Sequence, residues 1–262
     1  MAEWDSSQYA KFLEQRTQPS TDLAARIDVV SPREIIDIGC GPGNSTQVLM
    51  ERFPNAHITG ADSSENMINA ARENCRGADF ILLDTSGDLS AMNGRFDVVF
   101  SNACIQWIPD HERLLPSLFG LLREGGVLAV HIPMNYDEPI HRIIGELADS
   151  EKWRGYFREQ RIFHTRTPSE YFDILSGLTD DFELWKTSYL HRMGSHSDII
   201  EWYKGTGLRP YLAQLSEEDG ARFISELYEE LQKAYPVQKN GEIIFAFPRF
   251  FFIARKMTQK RS

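Results

Sequence analysis

Short apolar runs alternate with amphipathic stretches through the first half of the chain, the pattern of βαβ units around a parallel sheet. Strands are predicted at 34–38, 57–62, 79–84, 96–101 and 127–132. Helices are predicted at 44–52, 65–74 and 112–123, with Ser63 or Ser64 capping the second and Gly125-Gly126 ending the third. The second half reads differently. Residues 138–160 predict a polar helix with weak points at Gly145 and Gly155, and 182–191 predict a strand. Three helical segments follow at 197–203, 210–215 and 217–235, and 242–254, rich in Phe and Ile, predicts a final strand. About 50 residues separate the two late strands, far more than a hairpin loop holds. The intervening helices are therefore expected to form a lid above the carboxyl edge of the sheet. The expected architecture is one α/β domain over 1–262: a doubly wound sheet, mostly parallel with an antiparallel last strand. Helical lid insertions are expected within about 137–177 and 195–240.

Composition narrows the function classes. A chain of 262 residues with 42% hydrophobic residues can build its core without disulfides or metals. Its formal net charge of −10 opposes nucleic-acid binding, and Lys256, Lys260 and Arg261 make only a short basic fringe. Cys40, Cys75 and Cys104 show no Cys-x-x-Cys spacing, so neither a disulfide framework nor structural zinc is expected. The N-terminus lacks the basic start and apolar run of a signal peptide. The longest apolar segment, 243–254, is interrupted by Pro248 and Arg249, short of the roughly 18 residues of a membrane span. The expectation is a cytoplasmic protein with no metal and no membrane, nucleic-acid or obligatory protein partner.

The chemistry begins at Asp37-Ile38-Gly39-Cys40-Gly41-Pro42-Gly43-Asn44, which joins the first strand to the first helix of the alternation. Gly39 and Gly41 let the backbone turn sharply and approach a ligand, and the helix N-terminus offers free N–H groups. Asp62 closes the second strand, where an acid accepts hydrogen bonds from ribose hydroxyls. Together these indicate an adenosine cofactor. The dinucleotide fingerprint Gly-x-Gly-x-x-Gly fails in both registers, which place its third glycine on Asn44 or Thr46. A pyrophosphate cradle, and with it a nicotinamide oxidoreductase, is disfavoured. A structural glycine turn is the competing reading, weakened by Asp62 and Asp84 standing at two strand ends. Cys40 has no basic neighbour in the sequence and is not read as a catalytic thiol.

This spacing resembles motif I of class I methyltransferases, whose Rossmann-like sheet binds S-adenosylmethionine with the glycine loop under the methionyl part and an acid after the third strand, here Asp84, at the adenine. After the fourth strand runs Asn102-Ala103-Cys104-Ile105-Gln106-Trp107-Ile108-Pro109-Asp110-His111. It lacks the prolines of the motif that holds base amines. It is similar to the matching stretch of bacterial trans-aconitate methyltransferases. So are Trp4, Tyr9, Phe12, Arg16 and Pro19 near the start, Thr206-Gly207-Leu208-Arg209-Pro210, and Phe247-Pro248-Arg249. His131 departs from that likeness, which leads to Gln there.

The resemblance implies a monomeric cytosolic enzyme that esterifies a carboxylate of trans-aconitate or a similar small polycarboxylic acid. A carboxylate is ionised at pH 7 and needs no general base, so positioning alone is expected and no catalytic side chain is assigned. The resemblance assigns the cofactor to Tyr9, Arg16, Asp37, Gly39, Cys40, Gly41, Asn44, Asp62, Ser63, Met67, Asp84, Thr85, Asn102, Ala103 and Trp107. It assigns the substrate to Gln106, Trp107, His131, Tyr203, Arg209 and Arg249. Arginine forks suit the remaining carboxylates, and Arg209 leads, with Arg192 and His191 as further candidates. Two alternatives stay open: a carboxyl methyltransferase for a lipophilic monocarboxylic acid, and a non-catalytic S-adenosylmethionine-binding regulator.

Overall fold

The computed structural model describes residues 13–158 and 163–258. Helix α1 (Leu13–Ala25) leads into β1 (Glu34–Ile38), α2 (Asn44–Arg52), β2 (His57–Asp62), α3 (Glu65–Asn74) and β3 (Asp79–Leu82). Then come β4 (Phe96–Asn102), a 3-10 turn (Ile105–Trp107), α4 (His111–Gly120), β5 (Leu122–Pro133), α5 (Pro139–Asp149) and α6 (Pro168–Ser176). The chain continues with β6 (Phe182–Met193), α7 (His196–Lys204), α8 (Arg209–Leu212), α9 (Glu217–Ala234) and β7 (Ile243–Arg255).

The seven strands run in the order β3-β2-β1-β4-β5-β7-β6. The pairs from β3 through β5 are parallel, and β7 is antiparallel to β5, as the sequence predicts. Chain order reverses between β1 and β4, and in such sheets a ligand binds outside the strand ends at that switch. Continuous apolar runs form the central strands because helices cover both faces: Ile35, Ile36, Ile38, Val98, Val99 and Phe100 are fully buried.

The described residues divide into two compact units, with divisions inside α1, β6 and β7, at the end of β5 and between the two described stretches. The sheet unit comprises 16–133, 163–187 and 249–258. The helical unit comprises 134–158 and 188–248, with 13–15. Its core is built on Ile140, Trp153, Trp202, Tyr203, Phe223 and Phe245, all buried.

Several boundaries differ from those predicted. The helix expected at 112–123 ends at Gly120, because Leu122 already pairs with Phe96 in the sheet. The helix expected at 138–160 stops at Asp149: Ser150 turns extended, and Trp153 is drawn into the aromatic core with its Nε1 donating to Glu226. The strand expected to reach Asp84 ends at Leu82, since Asp84 accepts bonds from Ser86 in its own turn. Ser64 holds the N-cap position of α3 without a side-chain cap, and its own N–H donates to Asp62 Oδ1 at 2.9 Å. Helix α6 was not singled out, and it belongs to the sheet unit.

Candidate active site

The loop after β1 is shaped by two tight approaches. Gly39 has φ +71°, and a Cβ on it would overlap Cβ and Sγ of Cys104. Gly39 N and Cys40 N both donate to Ala61 O, at 2.8 and 3.0 Å, which pins the loop to β2. Gly41 has φ +53° and no protein atom within 4 Å of where a Cβ would point, so its backbone is open to a ligand. Gly43, at φ +99°, opens α2 without a side-chain cap.

Three carboxylates flank this loop. Asp62 Oδ2 accepts from Gly41 N at 3.0 Å, tying the second strand end to the glycine turn. Leu83 N donates to Asp62 O at 2.9 Å, which brings the turn carrying the exposed Asp84 and the buried Thr85 to the same edge. The Ser86 bonds hold the Asp84 carboxyl below its usual range. Asp37 is fully buried; its Oδ2 accepts from Ser45 Oγ and Thr46 Oγ1, each at 2.7 Å, while Oδ1 has no partner. Burial pushes its carboxyl up to about 6. An open glycine backbone beside an acid at the second strand end fits an adenosyl cofactor. Asn44 and Met67 are half-buried and Ser63 is exposed.

The second half of the site is the turn after β4. Asn102 ends the strand, and Ala103 follows in the left-handed region at φ +53°, held there by Ala103 N donating to His131 O at 3.0 Å. His131 Nδ1 lies 2.7 Å from Asn102 Oδ1, and Gln106 Nε2 donates to Ala103 O at 2.7 Å. These bonds bring Asn102, Ala103, Gln106 and His131 together. Gln106 Oε1 and His131 Nε2 are buried with no hydrogen-bond partner. Burial, with the charge of the buried Arg249 added, pushes the His131 imidazole well below its ordinary range. Trp107 is half exposed and packs on Phe163 with ring centroids 4.8 Å apart.

Thiol chemistry is absent from this turn. Burial pushes Cys104 up to about 12 and Cys40 higher still, so neither is a thiolate at neutral pH. Among the described residues no cluster of His, Cys, Asp and Glu fits a metal ion.

Several other sequence-predicted residues belong to the helical unit or lie outside the described residues. Tyr9 and the Arg16 side chain lie outside the described residues, as do Trp4 and Phe12. Tyr203 is buried in the helical unit, its hydroxyl 3.0 Å from both His141 Nε2 and Asn135 Nδ2. Arg209 is half-buried at the start of α8. Arg192 is exposed and its fork is engaged by Glu242 at 2.9 and 2.7 Å, while His191 packs on Trp202. Sequence reasoning missed the His111–Tyr171 pair, a 2.8 Å hydrogen bond beneath the post-β4 turn.

A family profile described as a methyltransferase domain matches residues 35–126. A trans-aconitate 2-methyltransferase from Enterobacter sp. (strain 638) is 41% identical over 257 residues, covering 98% of this chain and 99% of that relative. The chain belongs to the trans-aconitate 2-methyltransferase family. The enzyme of that name from Escherichia coli (strain K12 / DH10B) is 40% identical over 257 residues, covering 98% of this chain and all of its own length. The chain is accordingly a methyltransferase enzyme, and the methyl donor of the family is S-adenosylmethionine. Solved structures share the fold. The YcgJ protein from Bacillus subtilis is 12% identical with a TM-score of 0.59, covering 94% of this chain and 99% of that one. Phosphoethanolamine N-methyltransferase 2 of Haemonchus contortus, solved with S-adenosyl-L-methionine, is 18% identical with a TM-score of 0.54, covering 92% of this chain and 53% of that one. No helix among the described residues is long and apolar enough to cross a membrane.

Proposed function

We propose that the enzyme methylates a carboxylate of trans-aconitate, forming a methyl ester and S-adenosylhomocysteine. The observation that carries this reading is the likeness to relatives named for that reaction, which runs through 98% of the chain. The site chemistry supports it. The two imidazoles at the post-β4 turn, His111 and His131, are both pushed down by burial and are weak bases, and the nearby thiols stay protonated. Such a site suits an acceptor that arrives already ionised.

Bound S-adenosylmethionine supplies a methyl group on a cationic sulfur. The chain's part is to orient the two partners in line. Asp62 would accept from the ribose hydroxyls, the backbone at Gly39, Cys40 and Gly41 would hold the methionyl part, and Asp84 with Thr85 would hold the adenine. Asp37 steadies the loop through Ser45 and Thr46. Asn44, Ser63, Met67, Asn102, Ala103 and Trp107 complete the donor site, with Tyr9 and Arg16 as its cover. The proposal assigns the acid to Gln106, Trp107, His131 and Arg249 of the sheet unit, and carries Tyr203 and Arg209 over from the family likeness alone. The same proposal treats the chain as a cytoplasmic enzyme with no macromolecular partner required.

The test is transfer of a labelled methyl group from S-adenosylmethionine across di- and tricarboxylic acids and lipophilic monocarboxylic acids. Trans-aconitate is expected to be the preferred acceptor; preference for a lipophilic acid would replace this reading with the monocarboxylate one. Arg209→Ala is expected to raise KM for trans-aconitate about 10- to 100-fold, the loss of a charge-assisted fork. An unchanged KM removes Arg209 from the substrate site.

A further inference from the structure

His111 begins α4 with its ring fully buried. Its Nε2 lies 2.9 Å from the carbonyl oxygen of Ile105, and its Nδ1 lies 2.8 Å from the hydroxyl of Tyr171. A carbonyl can only accept, so Nε2 carries the proton and Nδ1 accepts from the tyrosine hydroxyl. The Tyr171 oxygen in turn accepts from Arg166 N at 3.3 Å. Its ring is fully buried, stacked on Phe250 at 5.3 Å and packed on Phe252 at 5.6 Å. Tyr171 sits in the first turn of α6, which Thr167 and Glu170 close with a reciprocal capping box. A continuous hydrogen-bonded path therefore runs from the α6 N-terminus through Tyr171 and His111 to the Ile105 carbonyl. On the far side of the same turn, His164 N donates to Gln106 O at 2.9 Å.

The Ile105 carbonyl and the Gln106 N–H belong to one planar peptide unit. Whatever fixes that carbonyl fixes the direction in which Gln106 leaves the backbone. Two donors hold it, His111 Nε2 and Ile108 N, the latter at 2.9 Å where it closes the 3-10 turn, so removing the histidine donor takes away one of two bonds, a loss of about 0.5–1.5 kcal/mol that leaves the plane less firmly held. A shift of this plane would carry Gln106 and Trp107 with it, while the glycine loop keeps its bonds to β2 and Asp62 keeps those from Gly41 N and Ser64 N.

We propose that His111, oriented by Tyr171, is a positioning residue that, together with Ile108 N, holds the Ile105–Gln106 peptide plane and so aims Gln106 and Trp107 at the acid substrate. This rests on the reading above that these two residues hold the acid. No bound donor is needed to see its consequence, because the affinity for donor and for acid should separate on mutation.

The experiment compares His111→Gln, His111→Asn and Tyr171→Phe in the full-length enzyme. The readouts are KM and kcat with trans-aconitate, calorimetric affinity for S-adenosylhomocysteine, and Tm. A glutamine amide nitrogen reaches the place of Nε2, whereas an asparagine amide nitrogen reaches only that of Nδ1. His111→Gln should keep kcat/KM within about threefold of wild type, and His111→Asn should lower it about 5- to 10-fold, mainly through KM. S-adenosylhomocysteine affinity should stay within about twofold in both. Equal losses in the two variants, or a parallel loss of product affinity, overturns the proposal in favour of a purely structural histidine. Should His111→Asn fail to fold, Tyr171→Phe decides alone: a KM raised about 3- to 10-fold with unchanged product affinity supports the path, and an unchanged KM overturns it. Gln106→Ala separates the two layers of the argument. If it leaves KM unchanged, the substrate reading fails and this inference fails with it. If it raises KM while His111→Asn does not, only the positioning role is lost.

Discussion

The sheet unit and the helical unit bury polar groups in opposite ways. In the helical unit Asn135, His141 and Tyr203 satisfy one another, Tyr235 OH accepts from Ile140 N, His196 Nε2 lies 2.8 Å from Tyr235 O, and Trp153 Nε1 donates to Glu226. In the sheet unit Asp37 Oδ1, Gln106 Oε1 and His131 Nε2 are buried and unsatisfied, all at the carboxyl ends of strands or in the turns that follow them. Native proteins bury few such atoms, and they gather where function outweighs stability. The helical unit is built to hold together; the sheet unit accepts strain around its ligand loops.

That contrast can be broken by mutation. Phe223, fully buried and edge-on to Trp153 at 5.2 Å, should cost about 3–5 kcal/mol when changed to Ala. Denaturant unfolding should show this, while the folded fraction keeps its affinity for S-adenosylhomocysteine. A matching loss of affinity would mean that the helical core sustains the donor site. Gly39→Ala should act on both properties, because the new Cβ overlaps Cys104 and φ is +71°. About 2–4 kcal/mol of stability should go, with most of the donor affinity measured by calorimetry.

Asp37 offers a pH-dependent version of the same test. Its folded carboxyl is raised from 3.8 to about 6, so the folded chain keeps a proton that the unfolded chain has released. Its ionisation destabilises the fold progressively as pH rises from about 4 to 6, by a total of about 3 kcal/mol. Asp37→Asn should therefore gain stability relative to wild type at pH 8 compared with pH 5, and an equal gap at both would show that this carboxyl ionises without penalty. The smallest effect is expected at the opposite edge of the sheet. His57 bridges Glu34 and Asp79 at 2.9 and 2.8 Å, and those carboxylates raise its pKa. Its support is present below the ordinary histidine pKa and fades as pH rises through the raised one. The group is exposed, so His57→Gln should cost less than about 1 kcal/mol at pH 6 and nothing resolvable at pH 9.

How much was legible follows the range of the interactions. β1, β2, α2 and α3 begin and end where the hydrophobic period, the glycines and the turn residues say. The meeting of the glycine loop with Asp62 was legible because both are local features of one βαβ unit. Boundaries slipped where tertiary pairing overrides local period, as at Leu122, drawn into the sheet by Phe96, and at Trp153, drawn into an aromatic core. The His111–Tyr171 pair joins segments 60 residues apart, and no local spacing announces it. Helix α6 is the exception, since Thr167-Pro168-Ser169-Glu170 is a local capping box readable in the sequence.

The interlock of Gly39 with Cys104 bears on how this scaffold could be re-engineered. Position 104 lies in the turn that would be randomised to widen acceptor range, yet its bulk fits only because residue 39 has no side chain. Larger groups at 104 would press on the donor loop before they touched any acid. Libraries that vary 104 alone should therefore return variants impaired for cosubstrate, and useful diversity has to be sought at Gln106 and Trp107 instead.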